Sequence, residues 1–274
     1  TAAASFAHLT ALTSLDCSYT SVERTEGLPL SLQVLDISSM YTLQPGASLA
    51  HLHRLRVLHA DWSKLDTRSL ASLPLSLEEL HAAHCGSLAP ATSFAHLTAL
   101  RVLDVTFTAI GDASLATMPL CLVSLNVRQC KNLTSAATLP HLPALRLLDV
   151  SDTAVGDALV ASLPATLVEI RLTWCRGVTA SATLDHLHAL RVLHCSDTEL
   201  SPAALAGCCE RGCVVVAPTV LHGHDRFVIT LAVLSIGQLA SGDEGGTVRV
   251  WDVERAGEAT AVLDGHDGSV NALA

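Results

Sequence analysis

One motif, Leu-x-x-Leu-x-Leu with small variations, occurs nine times and constrains the fold of this chain more than any other feature. Consecutive copies are 20 to 23 residues apart. A period of this length is typical of a solenoid, in which each copy forms one turn that stacks on the next. Such a stack favours a long binding surface over an enclosed reaction centre. The copies, called repeats 1 to 9, begin at Leu12, Leu32, Leu55, Leu77, Leu100, Leu122, Leu145, Leu167 and Leu190.

Each repeat predicts a short strand with one buried side. In repeat 7 the apolar positions 1, 4 and 6 are Leu145, Leu148 and Val150, and positions 5 and 7 are polar. This alternation is the period of a half-buried strand. One strand per repeat, always in the same direction, predicts a parallel sheet that runs along the solenoid.

The segments that return from one strand to the next predict short helices. In repeat 7 we expect Asp157 to cap such a helix and Pro164 to end it, and Asp112 to act in the same way in repeat 5. After repeat 9, Ser201 precedes Pro202, which combines a capping residue with a proline at the first helical position.

The repeats alternate between two types, so the full period is 45 residues. The ninth residue is a hydroxyl residue in one type and cysteine in the other. It lies where the chain leaves the strand, and a hydroxyl or thiol there can bond to backbone groups in the bend. Cysteines two repeats apart should have Cα atoms about 10 Å apart, too far for a disulfide or a shared zinc ion. The ninth residues are Ser63, Thr108, Thr153 and Thr198 in one type, and Cys85, Cys130 and Cys175 in the other.

This pattern resembles the leucine-rich repeats, whose signature is Leu-x-x-Leu-x-Leu-x-x-Asn/Cys. The resemblance covers about residues 5 to 217, and the repeats that end in Cys resemble the cysteine-containing subclass. It implies an α/β solenoid over residues 1–217, a horseshoe with a parallel β-sheet on its concave face. After Leu200 the pattern decays through Cys208, Cys209 and Cys213, which indicates a last, irregular repeat or cap.

From about residue 219 the chain carries a different repeat: a Gly-His pair, several short apolar runs and a Trp-Asp pair. The Gly-His pair returns 42 residues later. This order resembles the WD-repeat propeller family. It implies that residues 218–274 form a partial all-β WD-repeat segment, one blade and the opening strand of a second. We expect a small antiparallel sheet with unprotected edges.

The same resemblance implies structural roles for His224, Ser241, Trp251 and Asp252. In the WD-repeat family an Asp in the turn before the third strand pairs with the histidine of the Gly-His pair. Gly245 occupies that place in this sequence. We therefore expect the buried network of this blade to be incomplete.

Several function classes are disfavoured. The net charge is −10, and neutralising nucleic-acid phosphates needs a surplus of Lys and Arg, so we expect no nucleic-acid partner. No apolar run is long enough to span a bilayer, so we expect no membrane partner. The chain has no Gly-rich phosphate loop, nucleophile elbow or paired-His metal motif, and we expect no enzymatic activity, cofactor or metal. Unpaired thiols favour a reducing compartment, so we expect a cytoplasmic protein.

The outward strand positions 3, 5, 7 and 8 carry the candidate binding residues. In leucine-rich repeats this face is concave and usually binds the partner. Acidic residues and exposed aromatic rings on one curved sheet suit a protein partner with basic and apolar groups. We expect partner binding by Asp16, Tyr19, Asp36, His59, Asp61, Trp62, His81, Asp104, Phe107, Arg128, Asp149, Asp152, Arg171, Trp174 and Asp197.

These observations favour a protein–protein interaction scaffold or adaptor with two binding modules. Two alternatives stay open, since fold alone does not fix function. A substrate-recognition subunit of a ubiquitin ligase would need an F-box-like docking bundle elsewhere. The sensor region of a nucleotide-driven NTPase receptor would need a phosphate-binding loop elsewhere. Since the chain begins without Met and ends within the second Gly-His copy, we interpret it as a fragment of a longer product.

Overall fold

A computed structural model of the chain contains two compact bodies, residues 1–216 and residues 217–274, here called the solenoid and the tail. The structure describes residues 6–21, 25–139, 141–216, 223–235, 238–252, 259–264 and 266–273.

The solenoid carries one parallel sheet in which each strand pairs with the next along the chain. The predicted parallel sheet is therefore confirmed. The last strand lies beyond the nine motifs and pairs with the ninth, as expected of an irregular final repeat. The strands are β1 (Ser14–Asp16), β2 (Val34–Asp36), β3 (Val57–His59), β4 (Glu79–His81), β5 (Val102–Asp104), β6 (Ser124–Asn126), β7 (Leu147–Asp149), β8 (Glu169–Arg171), β9 (Val192–His194) and β10 (Val214–Val216).

The core of the solenoid is a stack of thin leucine layers. Positions 1, 4 and 6 are buried throughout repeats 2 to 9, as Leu145, Leu148 and Val150 illustrate in repeat 7. Fully burying one such side chain stabilises the folded state by about 1.5–3 kcal/mol, relative to leaving it exposed to water. The central residue of each of these strands is buried while its two neighbours stay partly or fully exposed, so the sheet has a core side and an open side.

Short helices occupy some of the return segments, but two predicted caps are wrong. Asp112 and Asp157 each lie inside the first helical turn, after a glycine that makes no side-chain cap. Their carboxylates instead accept hydrogen bonds from Thr134 and Thr179 of the following repeat. A partner one repeat away thus replaces the local cap. The helices are α1 (Thr67–Ala71), α2 (Asp112–Leu115), α3 (Asp157–Ser162) and α4 (Pro202–Glu210).

The start of α4 agrees with the sequence. Ser201 is the N-cap and its side chain accepts a hydrogen bond from the backbone N–H of Ala204, and Pro202 is the first helical residue. Proline is tolerated there because the N–H that it lacks would have no partner within the helix.

The tail forms a four-stranded antiparallel sheet in the order of the chain. The small antiparallel sheet predicted for this region is confirmed. Its outer strands are the first and the last, whose outer backbone groups have no partner strand among the described residues of the tail. The strands are β11 (Val228–Ser235), β12 (Gln238–Asp243), β13 (Thr247–Asp252) and β14 (Ala259–Asp264).

The opening strand expected after the second Gly-His pair is absent from the described residues 266–273. There Val270 is buried, and its N–H donates to the carbonyl of Asp243 at the end of β12. The segment thus folds back onto the existing sheet instead of extending as a new strand. Gly265 lies outside the described residues.

Candidate functional site

The open side of the solenoid sheet is built on a backbone conformation that recurs in every repeat. Position 8 has a positive φ, between 55° and 64°, in all nine repeats, and none of these residues is glycine. For residues other than glycine this left-handed conformation costs about 1–2 kcal/mol. The residues are Tyr19, Ser39, Trp62, His84, Phe107, Gln129, Asp152, Trp174 and Asp197.

The sheet ladder accounts for this conformation. In repeats 1 to 8 the N–H of position 8 donates to the carbonyl of position 7 in the next repeat, at 2.7–3.0 Å, as Trp62 does to Ala83. The ladder of backbone hydrogen bonds therefore continues past the end of the strand as far as position 8. The chain turns away from the sheet only beyond that residue. In repeat 3 the left-handed turn directs residue 9 inward while residue 8 stays outside, with Ser63 buried directly after the exposed Trp62.

Behind position 8, the hydroxyl and thiol residues bond as the sequence predicts. Thr108 donates its hydroxyl to the carbonyl of Val105 at 2.7 Å, and the thiol of Cys130 in the next repeat donates to the same oxygen at 3.2 Å. The same arrangement recurs around the carbonyl of Val150. Burial raises the pKa of the Cys130 thiol, which keeps it a hydrogen-bond donor. These bonds hold the bend that carries the outer residues.

Several predicted partner-binding residues at position 5 also support the backbone. One side-chain oxygen of each accepts the N–H of position 7 at 2.8–3.1 Å, and the pKa of Asp16 is lowered by its hydrogen bonds from Ser18. In repeat 4, where position 5 is His81, Asp61 of the preceding repeat accepts the N–H of Ala83 instead. One side-chain oxygen is thus held by the backbone, and the second oxygen of Asp104 accepts from the side-chain amide of Asn126 at 3.0 Å. The position-5 acceptors are the predicted residues Asp16, Asp36, Asp104 and Asp149, together with Asn126, which was not among the predicted residues.

Three rings at position 8 stack on one another. The ring centroids of Trp62 and His84 are 3.7 Å apart, and those of His84 and Phe107 are 4.2 Å apart, with interplanar angles of 11° and 18°. Beside them, His59 stacks on His81 at 4.8 Å. Trp62 is 51% exposed and Phe107 42%, so the stack presents apolar surface to a partner.

The C-terminal half of this face carries charged side chains of both signs. Arg171 pairs with Glu169 in the same strand, Asp152 with Lys131, and the guanidinium of Arg176 lies 5.6 Å from the ring centroid of Trp174. A hollow of about 450 Å³ opens here. Its lining consists of Arg128, Gln129, Asp149, Ser151, Asp152, Arg171, Thr173, Trp174 and His194.

The fifteen predicted partner-binding residues all occupy the open side of the sheet, and none of them is buried. Residues at the same position of successive repeats lie next to one another along the sheet and so form rows. Sequence reasoning did not predict the left-handed backbone or the bridging role of His84. The Trp-His-Phe succession at position 8 of three consecutive repeats could have indicated the stack, because adjacent strands lie about 4.8 Å apart.

In the tail the structure corrects one expectation. Asp243, and not the residue at Gly245, pairs with the histidine: Nδ1 of His224 lies 2.6 Å from Oδ2 of Asp243. The other ring nitrogen lies 2.6 Å from Oγ of Ser241, which accepts the indole N–H of Trp251. The buried network is therefore complete. The pairing aspartate is the last residue of β12, two residues before the place that the motif indicates. The side chain of Asp252 lies outside the described part of the chain.

Backbone N–H groups hold the central carboxylate of this network. Asp243 accepts the N–H of Thr247 and that of Gly245, at 3.0 and 2.9 Å. The bond from Thr247, followed by those from His224 and Gly245, holds the pKa of this carboxyl below its ordinary value.

Two kinds of site receive no support within the described ranges. No three side chains of His, Cys, Asp or Glu are grouped there as ligands for a metal ion. No helix among the described residues has the length and apolar character that a bilayer-spanning helix requires.

No protein-family model matches the chain, and no curated protein is significantly similar to it. Among solved structures, the chain is similar to the functional domain of InlJ from Listeria monocytogenes, described as including a cysteine ladder, with a TM-score of 0.59 and 18% identity. The match covers 78% of this chain and 45% of that one, so the chain spans less than half of the InlJ domain. Human 5T4, a trophoblast glycoprotein, is similar at a TM-score of 0.45 and 18% identity, over 74% of this chain and 75% of that one. The solenoid has the leucine-rich-repeat fold.

Proposed function

We propose that the chain is a protein-binding module, a scaffold or adaptor, whose solenoid binds a partner protein through the open side of its sheet. The row of exposed rings at position 8 carries this proposal. Trp62, Phe107 and Trp174 are each 42–51% exposed, although burying a large ring is worth several kcal/mol. Aromatic residues that stay exposed and aligned on a firmly bonded scaffold are typical of binding surfaces.

The charges beside the rings support a partner with basic and apolar groups. Positions 3, 5, 7 and 8 of repeats 1 to 5 contain five carboxylates and no Lys or Arg. Complementary charge steers association and fixes the register of a bound partner. The carboxylates are Asp16, Asp36, Asp61, Glu79 and Asp104.

We further propose that the tail is a WD-type blade that serves as a second binding module. The chain of hydrogen bonds from Asp243 through His224 and Ser241 to Trp251 supports this assignment, because it joins the Gly-His and Trp-Asp ends of the motif. A reducing, cytoplasmic location is part of the proposal. It is supported by the Thr–Cys ladder, since a thiol such as Cys130 donates its bond only in the reduced form.

Hydroxyl-radical footprinting of the full chain tests the proposed face. A partner obtained by affinity capture is purified, and the oxidation of each side chain is compared with and without it. We expect at least a threefold lower oxidation rate at Trp62, Phe107 and Trp174 in the complex, since a buried ring is screened from solvent radicals.

Exposed leucines away from the sheet face provide the internal control. Leu30, Leu75 and Leu120 are 63–64% exposed and precede the strands of repeats 2, 4 and 6. Their oxidation rates should not change. Protection of these leucines with unprotected rings would place the partner elsewhere and refute the proposal.

A further inference from the structure

The hollow of about 450 Å³ on the C-terminal half of the sheet face, here called the Arg128 hollow, lies where position-7 side chains differ in size. Arg128 of repeat 6 is exposed, and Ser151 of repeat 7 is buried at 5% exposure. The two repeats are neighbours in the backbone ladder, because the N–H of Gln129 donates to the carbonyl of Ser151 at 2.9 Å. The Cα atoms of Arg128 and Ser151 are therefore about 5 Å apart.

Two side-chain donors in the lining of the Arg128 hollow have no partner among the residues that the structure describes. The guanidinium of Arg128 forms neither an ion pair nor a side-chain hydrogen bond with them. The hydroxyl of Ser151 forms no hydrogen bond with them either, although the residue is buried. A polar group withdrawn from water costs free energy unless it is hydrogen-bonded. An acceptor from outside the chain would satisfy both donors.

The two carboxylates of the lining already accept hydrogen bonds from within the chain. Oδ1 of Asp149 accepts the backbone N–H of Ser151 at 2.9 Å. Oδ1 of Asp152 accepts from Nζ of Lys131 at 2.6 Å, and the backbone carbonyl of Asp152 accepts from the same ammonium at 2.9 Å. Asp152 therefore has a cationic partner, whereas Asp149 has a backbone donor only.

The remaining charges around the Arg128 hollow leave an excess of unpaired cations. Arg171 is paired with Glu169 at 2.8 Å, and Nε2 of His194 lies 3.7 Å from the same carboxylate oxygen. The guanidinium of Arg176 lies over the ring of Trp174 and has no ion pair within the described ranges. Two unpaired guanidinium groups thus face one carboxylate without a cationic partner, so the hollow favours an anionic group.

The Arg128 hollow begins one repeat beyond the stack of rings. The N–H of Phe107 donates to the carbonyl of Arg128 at 2.9 Å, so their repeats are neighbours in the ladder. Phe107 and Ser151 are two repeats apart, about 10 Å, which equals the length of about three extended residues. A partner segment that covers the rings can therefore place another side chain in the hollow.

We propose that the Arg128 hollow receives an acidic side chain, aspartate or glutamate, of the partner protein. The inference rests on the proposed function and names a second chemical group of the partner. The carboxylate accepts hydrogen bonds from the guanidinium of Arg128 and the hydroxyl of Ser151. Its two oxygens match the paired N–H groups of a guanidinium. A neutral amide offers an acceptor without the charge, and a lysine would bring another cation to an already unpaired one.

The proposal can be tested by nuclear magnetic resonance on the full chain labelled at its tryptophan indole nitrogens. Trp174 lines the hollow, whereas Trp62 belongs to the ring stack and Trp251 to the tail. Their indole N–H signals are followed during titration with a blocked pentapeptide that has glutamate at its centre and glycine elsewhere. The matching glutamine and lysine peptides are used at equal ionic strength. We expect the Trp174 signal to move with the glutamate peptide and to respond at least about tenfold more weakly to the others.

Three variants complete the test. Arg128→Gln removes the cationic donor and should weaken binding of the glutamate peptide at least about tenfold. Ser151→Ala removes a hydroxyl that bonds to nothing else among the described residues and should weaken binding about threefold or more. Arg146→Gln, the matched control, removes an exposed arginine of repeat 7 that lies outside the lining and should leave binding unchanged. Unmoved signals of Trp62 and Trp251 report that each variant is folded.

Any of three outcomes would overturn the assignment of the hollow. They are an unmoved Trp174 signal with the glutamate peptide, an unchanged affinity in Arg128→Gln or Ser151→Ala, and an equal response to the glutamine or lysine peptide. The footprint of the purified partner is measured separately. A partner that protects Trp62 and Phe107, while the glutamate peptide leaves Trp174 unmoved, would refute the hollow and leave the proposed function standing. Protection of the control leucines with unprotected rings would refute the proposed function whatever the peptide does.

Discussion

At the scale of the residue, position 8 combines an unfavourable backbone in every repeat with an exposed ring in several of them, such as Tyr19, Trp62, Phe107 and Trp174. The left-handed φ of residues such as Trp62 and Phe107 costs about 1–2 kcal/mol each. The ladder bond from the N–H of the same residue offsets part of this cost. The exposed rings at position 8 do not pack in the core, although their backbone conformation is unfavourable. This combination favours a binding role for them.

A substitution at Gln129 measures this strain. Gln129 lies at position 8 of repeat 6 with φ of 57°. Gln129→Gly should raise the free energy of unfolding by up to about 1 kcal/mol, because glycine adopts positive φ without a steric penalty and this gain exceeds its entropic cost. Gln129→Ala, the control, should not stabilise the chain. Urea unfolding gives both values, and equal stability of the two variants would contradict the assigned strain.

At the scale of the element, the strands were predictable, whereas side-chain contacts from one repeat to the next were not. The leucine spacing predicts the strands and their buried positions because it reports burial directly. The cap expected at Asp157 was wrong because its partner, Thr179, lies one repeat away. The acceptor for the N–H of Ala83 is likewise Asp61 of the preceding repeat. Contacts between repeats depend on the stacking register, which a local pattern does not contain.

The Thr–Cys alternation predicts the effect of deleting repeats. Deleting residues 100–144 removes one 45-residue pair and leaves Cys85 followed by Thr153, so the alternation is kept. Deleting residues 122–144 removes only the cysteine repeat and places Thr108 next to Thr153. The shorter deletion should nevertheless lower the melting temperature more, by about 5 °C or more, because the Val105 carbonyl loses its thiol donor and the repeats no longer match.

Circular dichroism melting of the two deletion variants and the full chain makes this comparison. If the variant that lacks one repeat melts at the same temperature as the variant that lacks the pair, or at a higher one, the 45-residue pair is not the structural period.

At the scale of the whole molecule, the chain consists of two bodies held by different means. The solenoid depends on stacked leucine layers and a parallel ladder. The tail depends on one antiparallel sheet and the buried network of His224, Ser241, Asp243 and Trp251. The identity of these residues was predictable from the motif, except for Asp243, because the turn that brings it to His224 is not visible in the spacing.

The lowered pKa of Asp243 makes the stability of the tail depend on pH. A carboxyl whose pKa is lower in the folded state stabilises the fold above its unfolded pKa, about 3.9, and loses this contribution as pH falls through the folded value. We expect the tail to lose stability as the pH falls below about 4. Asp243→Asn should destabilise the tail near pH 7 and flatten this dependence. Fluorescence of Trp251 in a Trp62→Phe/Trp174→Phe background follows the transition, and an unchanged pH profile in Asp243→Asn would refute the role of this carboxylate.

The affinity of the purified partner for three forms of the full chain tests the central claim most directly. The forms are the unaltered chain, the variant Trp62→Ala/Phe107→Ala/Trp174→Ala, and the control variant Leu30→Ala/Leu75→Ala/Leu120→Ala, which removes apolar surface of similar exposure away from the sheet face. Isothermal titration calorimetry should show that the aromatic variant binds at least about 100-fold more weakly, as the loss of several central aromatic contacts requires, while the control stays within about threefold of the unaltered chain. Unchanged affinity of a folded aromatic variant would contradict binding through this face.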